Sequence, residues 1–261
     1  MKFLIFGDVV AKIGRRALIA KLPELKARYK PDRVIINAEN LAHGKGITLN
    51  TIEEMSTAGV DIFTGGNHSF SKPEGAALFA GNPQLIRPAN FVDAPGAGYR
   101  IYEVGGVPFV LINLLGRVFM KDEVLDPFHT FDTIVAQDDV KNIPIRLVDF
   151  HGETTAERNA FKWHVVDRAS VLWGTHTHVQ TNDAWIVQNR LGYITDVGMT
   201  GARDGVIGIK KEGSLSHFLT GGKITHDFDE NGPVIISGML VEVSPEGICT
   251  HIEHFIEHTI I

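Results

Sequence analysis

The sequence predicts a mixed α/β sandwich in which helices cover the outer faces of mixed β-sheets. Three observations lead there. Short apolar runs alternate with helical segments over the first two-thirds of the chain, and strand-like runs come in pairs over the last third. The balance of 44% apolar to 21% charged residues is that of a globular protein, which excludes a disordered, collagen-like or coiled-coil chain. A chain of 261 residues buries a large core without disulfides. Cys249, the one cysteine, fits a reducing compartment and excludes an all-cysteine zinc site.

Each element has a local reason. Lys2 to Phe6 is an apolar run with turn residues behind it, hence a buried strand. Ala17, Leu18, Leu22 and Leu25 recur at helical spacing within a helix from Gly14 to Tyr29. Arg33 to Asn37 is a second strand. Thr48 is placed to N-cap a helix running to Thr57, which Gly59 closes. Val60 to Thr64 is a third strand, and Pro73 marks the first turn of the next helix. Arg100 to Val104 and Val107 to Asn113 form a hairpin around Gly105-Gly106. Phe128 to Val140 reads as helix, Ile143 to Phe150 as strand, Thr154 to Arg168 as helix and Ser170 to Trp173 as strand. Ala184 to Val187 and Tyr193 to Thr195 follow as strands, and His217 lies in a helix. Val234 to Val243 and Cys249 to His254 are the final strands. Asn82 to Gly98, with Pro83, Pro88 and Pro95, reads as a loop within a single domain spanning residues 1–261.

A net charge of -6, from 25 Lys+Arg and 31 Asp+Glu, disfavours a binder of duplex nucleic acid or of a membrane surface. It leaves room for a small anionic substrate held by a local positive site or by metals. Four apolar residues, Phe3 to Phe6, precede Asp8, too few for a signal-peptide core, and no run approaches the ~20 residues of a membrane span. A soluble, cytoplasmic protein is expected. The exposed late strands leave assembly into a homo-oligomer open.

The chemistry is concentrated just after strands, where open α/β sheets bind ligands. In order these ends read Gly7-Asp8, Ala38-Glu39-Asn40, Gly65-Gly66-Asn67-His68, Phe150-His151 and Gly174-Thr175-His176-Thr177-His178. One polar residue at a strand end commonly just caps a helix; five successive ends carrying carboxylate, amide or imidazole exceed what capping needs. His176 and His178, two apart on an extended backbone with Cα atoms ~7 Å apart, face the same way and can reach one metal or two adjacent metals. Glu39 offers a carboxylate able to bridge two cations, and Asn67 an amide oxygen. Mixed imidazole, carboxylate and amide donors suit iron, manganese or zinc better than calcium or magnesium.

These segments, with the flanking Phe6-Gly7-Asp8-Val9-Val10, Asn37-Ala38-Glu39-Asn40, Gly44-Lys45-Gly46-Ile47-Thr48, Asp149-Phe150-His151 and Thr195-Asp196-Val197-Gly198-Met199, resemble the calcineurin-like metallophosphoesterase superfamily. Within it the match is to the YmdB-like 2′,3′-cyclic-nucleotide 2′-phosphodiesterases, over nearly the whole chain. The resemblance implies the superfamily's sandwich fold and two metal ions per chain, usually iron. Asp8 is then expected at the first metal, Glu39 bridging, Asn67, His151 and His176 at the second, and His178 back at the first. The superfamily commonly has Asp-x-His where this chain has Val10, so Asn40 is expected to replace that imidazole. His68 matches the general acid. The implied reaction is in-line attack on the phosphorus of a nucleotide or other phosphodiester by a hydroxide shared between the cations, with His68 protonating the leaving oxygen.

Other features carry weaker readings. Arg15 and Arg16 open the first helix near Asp8 and are either phosphate contacts or surface charges. His43 sits in a Gly-rich loop that lacks the P-loop spacing. Asp196 to Gly205 reads as a loop, on the substrate side or merely connecting. His251, His254 and His258 read as solvated or satisfied histidines, and Trp163, Trp173 and Trp185 as core. A metallo-β-lactamase site would need His-x-His-x-Asp-His, and Val179-Gln180-Thr181 follow His178 instead. An amidohydrolase barrel would put His-x-His on its first strand. The alternative from another class is a regulatory protein that keeps the metal site and binds a nucleotide or partner without turnover; a proton donor at His68 argues against it.

Overall fold

A computed structural model of the chain describes residues 1–222 and 226–261. Its elements run β1 (Lys2–Val9), α1 (Ala11–Tyr29), β2 (Arg33–Asn37), α2 (Leu49–Thr57), β3 (Ile62–Thr64), α3 (Gly75–Gly81), β4 (Leu85–Ile86), β5 (Tyr99–Val104) and β6 (Val107–Leu115). They continue with α4 (Pro127–Val135), β7 (Arg146–His151), α5 (Thr155–Val165), β8 (Val171–Thr175), β9 (Trp185–Val187), β10 (Leu191–Ile194), β11 (Met199–Ala202), α6 (Lys211–Thr220), β12 (Pro233–Val243) and β13 (Cys249–Ile260). Thr48 does cap α2, accepting from the Thr51 amide, and Thr154 caps α5 by accepting from Glu157.

The strands form two mixed sheets, ordered β13-β12-β11-β1-β2-β3-β4 and β5-β6-β7-β8-β10-β9. The central strands of each run parallel, β1 beside β2 and β11 in one, β6-β7-β8-β10 in the other. Side-chain alternation makes the sandwich. Phe3 and Ile5 of β1 meet Phe109, Leu111, Leu147 and Trp173 of the second sheet in the central core. Leu4 and Phe6, the alternate residues, pack outward on Ile13, Leu18 and Leu25 of α1. On the far side Val110, Ile112 and Phe150 pack on Phe131 of α4 and Phe161 of α5. The result is a four-layer arrangement, helices outside and sheets inside, as the sequence predicts.

Two segments read as loops contain short strands. Leu85 and Ile86 pair with Phe63 and Thr64 as β4, and Met199 to Ala202 insert as β11 between β1 and β12. Two residues in one case, and a Met-Thr-Gly-Ala run in the other, are too short for periodicity to reveal. The partners on either side fix both. The long pairing of β12 with β13 also carries β13 to Ile260, six residues beyond its expected end. Among the described residues, no helix is long and apolar enough to cross a membrane.

Parallel strands point their carboxyl ends one way, which places Asp8, the segment after β2, the segment after β3, His151 and the segment after β8 along one edge of the sandwich. At that edge β1 passes close to the turn before β11: the Asp8 amide donates to the Gly198 carbonyl at 3.2 Å. Gly7 allows the approach, since a Cβ there would lie 1.9 Å from the Gly198 oxygen. Gly7→Ala is therefore expected to lower stability by about 1–3 kcal/mol through overpacking. Urea unfolding of the variant beside the wild type measures this.

Candidate metal centre

The edge of the sandwich gathers every residue singled out at the strand ends. Asp8 is fully buried; its Oδ2 accepts from the His176 amide at 2.9 Å. Glu39 Oε2 lies 3.2 Å from His151 Nε2 and accepts from the His68 amide at 2.9 Å. Asn67 Oδ1 stands 3.0 Å from His151 Nε2, and His176 Nδ1 3.1 Å from it. Asn40 Oδ1 stands 3.2 Å from His178 Nε2. Glu39, His151 and His176 bring one ligand atom each within 4.8 Å of the others. His68, Glu39, Asn40, His176 and His178 all line one cavity of about 400 Å³.

The partners on the outer side of each imidazole decide which nitrogen faces inward. His178 Nδ1 is 2.8 Å from the Ile207 carbonyl, which only accepts, so Nδ1 carries the proton and Nε2 presents a lone pair. His176 Nε2 donates to Glu153 at 3.0 Å, leaving Nδ1 inward. His151 Nδ1 lies 2.9 Å from the Thr175 hydroxyl, which donates onward to Asp149 at 2.7 Å. Nδ1–H therefore donates to Thr175, and Nε2 faces Glu39, Asn67 and His176. The Asn40 amide nitrogen donates to the Gly44 carbonyl at 2.9 Å, which turns Oδ1 toward His178. Acceptor thus crowds against acceptor, an arrangement that repels unless positive charge lies between.

The electrostatics agree. Burial pushes His151 down, yet Glu39, Asp8 and Asp149 together hold it up at about 9, so without a cation its Nε2 keeps a proton facing Glu39, and a bound cation would take that proton's place. Glu39 sits far below the carboxylate range despite its burial, because of His151 and His68. Burial, then the neighbouring His151 charge, hold His176 down at about 3, so its Nδ1 lone pair is free. Burial raises Asp8, and its Oδ1 has no hydrogen-bond partner among the described residues. A Cβ on Gly66 would lie 2.2 Å from Glu39 Oε2 and 2.5 Å from His151 Nε2, so only glycine leaves the centre open there. The donor set, the orphaned carboxylate oxygen and this opening fit a resident cation.

A buried ion pair braces the assembly. Arg158 of α5 lies 2.9 Å from Asp196 and donates to the carbonyls of Thr195 at 2.9 Å, Thr175 at 2.6 Å and Gly152. Asp196 in turn accepts from the Thr177 amide and hydroxyl and from the Gly198 amide. Sequence reasoning assigned no role to Arg158, Asp149, Thr175 or Glu153. An aspartate inside the apolar strand β7, two residues before His151 and so on the same face, was the available signal for Asp149. Nothing local marks Arg158, which reads as an ordinary helix-surface arginine.

The weaker candidates resolve otherwise. Arg15 binds Glu54 and the Leu41 carbonyl, and Arg16 binds the Glu230 carbonyl and Asn231, so both serve structure. His43 is exposed and sets its ring edge against Phe228. Asp196 braces the centre rather than lining it. His254 meets Asn182 and His251 meets Glu253 on β13, away from the centre. Trp173 is core, whereas Trp163 and Trp185 are half exposed, with the Lys162 ammonium over both rings. Burying the lysine stem takes precedence over burying the indoles.

Comparison with known proteins places this geometry. A family model described as "YmdB-like protein" matches residues 4–255. The 2′,3′-cyclic-nucleotide 2′-phosphodiesterase of Bacillus subtilis (strain 168) is 39% identical over 247 residues, 94% of this chain and 92% of that protein. A crystal structure of a hypothetical protein from Thermus thermophilus superposes with a TM-score of 0.91 at 35% identity, covering 99% of each chain. That of a novel phosphatase from Mycoplasma pneumoniae superposes at 0.92 with 33% identity, covering 99% of this chain and 93% of that one.

Two substitutions test the bracing. Thr175→Val removes the hydroxyl between His151 and Asp149 and is expected to weaken metal affinity ~10–100-fold, with Thr175→Ser restoring it, measured by metal titration. Arg158→Met leaves Asp196 buried without its partner and is expected to cost about 3–5 kcal/mol in chemical unfolding.

Proposed function

This chain belongs to the YmdB-like protein family, and from that premise we propose that it is a metal-dependent phosphodiesterase acting on 2′,3′-cyclic nucleotides. The observation that carries the reading is the convergence of three inward imidazole nitrogens, two amide oxygens and two carboxylates at one edge of the sandwich, where Glu39, Asn40, His176 and His178 share a cavity with an uncommitted His68. The name of the Bacillus subtilis relative supports the substrate class.

In this reading Asp8, Asn40 and His178 would hold one cation and Asn67, His151 and His176 a second, with the Glu39 carboxylate available to both. Iron is the metal the resemblance implies; manganese and zinc suit the same donors. When bound, the pair acidifies water to a nucleophile near neutral pH and draws charge from the non-bridging phosphate oxygens.

The chain's own residues do the rest. Thr175, Glu153 and the Ile207 carbonyl hold the three imidazoles in their ligand tautomers. His68 is tied to Glu39 only through its amide, which leaves its ring for proton transfer; its Nδ1 is 3.4 Å from Ser71 Oγ. Hydrolysis breaks the P–O2′ bond, adds the water oxygen to phosphorus and delivers a proton to O2′, leaving a 3′-phosphate. His68 supplies that proton, because an alkoxide leaves poorly unless protonated. Burial holds His68 below its ordinary value, and the charge of an anionic substrate acts in the opposite direction. The acid form is lost with rising pH, so turnover is expected to fall on the alkaline side.

His68→Ala is expected to lower kcat on a 2′,3′-cyclic nucleotide ~100–10,000-fold with metal content unchanged. Its effect on a diester with a p-nitrophenolate leaving group, which needs no proton, is expected to be far smaller. Metal analysis, product identification and both rates check this. Unchanged rates on the cyclic nucleotide would overturn the acid role, and tight nucleotide binding without product release from metal-loaded wild type would make the protein a regulator.

A further inference from the structure

The cavity is larger and more apolar than a phosphate and its cations require. Its volume of about 400 Å³ lies within the ~300–1,000 Å³ of small-ligand sites. Beside the donor set, Val10, Ile207, Ile209 and Phe228 line it. Phe228, Val10, Ala11 and Met199 form a small cluster of their own, apart from the three main cores, with Ile209 packed against it. Ile207 is 47% exposed although apolar, and its φ of 46° puts a β-branched residue in the left-handed region. A backbone cost of that kind at an exposed apolar side chain is a feature of ligand sites.

This wall is joined to the centre by two direct contacts. The Ile207 carbonyl orients His178, and the Gly44 carbonyl orients Asn40. Gly44 in turn packs on the Phe228 ring, so closely that a Cβ there would lie 2.0 Å from the ring's Cζ. Lys45, the only lysine or arginine lining the cavity among the described residues, places positive charge next to the same strip of backbone.

We propose that the wall formed by Val10, Ile207, Ile209 and Phe228 is a nucleobase subsite, which seats the flat apolar faces of a base while the phosphate lies at the Asn40 and His178 side of the donor set. The identity of the ligand rests on the phosphodiesterase reading above; the existence of an apolar subsite does not. Phe228 and Ile207 then determine preference for nucleotides over base-free phosphoesters.

The test compares metal-loaded wild type with Phe228→Leu, which keeps apolar bulk but removes the ring, and Ile207→Ser, which leaves the backbone carbonyl in place. Equilibrium binding of adenosine 3′-phosphate is set against that of glycerol 2-phosphate, and kcat/KM for 2′,3′-cyclic AMP against that for glycerol 1,2-cyclic phosphate. Wild type is expected to favour the nucleotide at least ~10-fold in binding, and each variant to narrow both ratios by about tenfold. A folding defect lowers both members of a ratio together and leaves it unchanged. A wild type without preference, or the same binding preference in all three proteins, would overturn the subsite. A variant-sensitive binding preference without turnover upholds the subsite and overturns the phosphodiesterase reading instead.

Discussion

The centre depends on a buried ion pair that belongs to neither a metal ligand nor the cavity. Arg158 reaches from α5 under the ends of β7, β8 and β10, taking the carbonyls of Gly152, Thr175 and Thr195, and Asp196 answers its charge. Asp196 also holds the amides of Thr177 and Gly198, and the Gly198 carbonyl takes the amide of Asp8. A continuous polar path therefore runs from a helix outside the second sheet to the first strand of the other sheet. Desolvating two such ions is costly, and a buried pair is poor value for stability alone. What it does here is fix the relative position of His151, His176 and Asp8, which lie on different sheets.

Given that frame, the outer hydrogen bonds settle the chemistry of the inner atoms. A carbonyl, a carboxylate and a hydroxyl committed to Asp149 each take an imidazole proton on the outer side, so the inward nitrogens are the ones available to a cation. Burial would by itself neutralise the acids. His151 is instead held at about 9 by Glu39, Asp8 and Asp149, which shows a field that favours positive charge at the position its Nε2 occupies. A proton meets that demand in part; a cation meets it for every acceptor at once.

How far this was legible follows from the range of each signal. Strand ends, the Thr48 cap and the Phe3/Ile5 against Leu4/Phe6 alternation are local, so the sequence displays them directly. The His176-Thr177-His178 unit is visible too, but its two histidines lie past β8 with φ of 104° and 65° and not on the expected extended backbone, so the turn and not a strand's alternation brings them to the centre. The strand β11 is not local: four residues including a glycine become a strand because β1 and β12 offer edges on both sides. Arg158 looks like any helix arginine until the fold places it under three carbonyl ends. Phe228 joins the cavity from more than 180 residues beyond Gly44, and no periodicity connects the two.

Val10 shows how one position alters both halves of the site. An imidazole there, as is common in the wider metallophosphoesterase superfamily, would add a nitrogen donor beside Asp8. Valine removes that donor and adds apolar surface to the cavity beside Phe228 and Ile209. In the proposed reading the missing donor's place falls to Asn40, whose amide nitrogen is held by the Gly44 carbonyl so that its oxygen faces His178. Gly44 can sit there because it has no side chain to meet the Phe228 ring. On that reading the oxygen donor and the apolar wall are one packing arrangement, joined through Val10, Gly44 and Phe228, and substitution at any of the three acts on both.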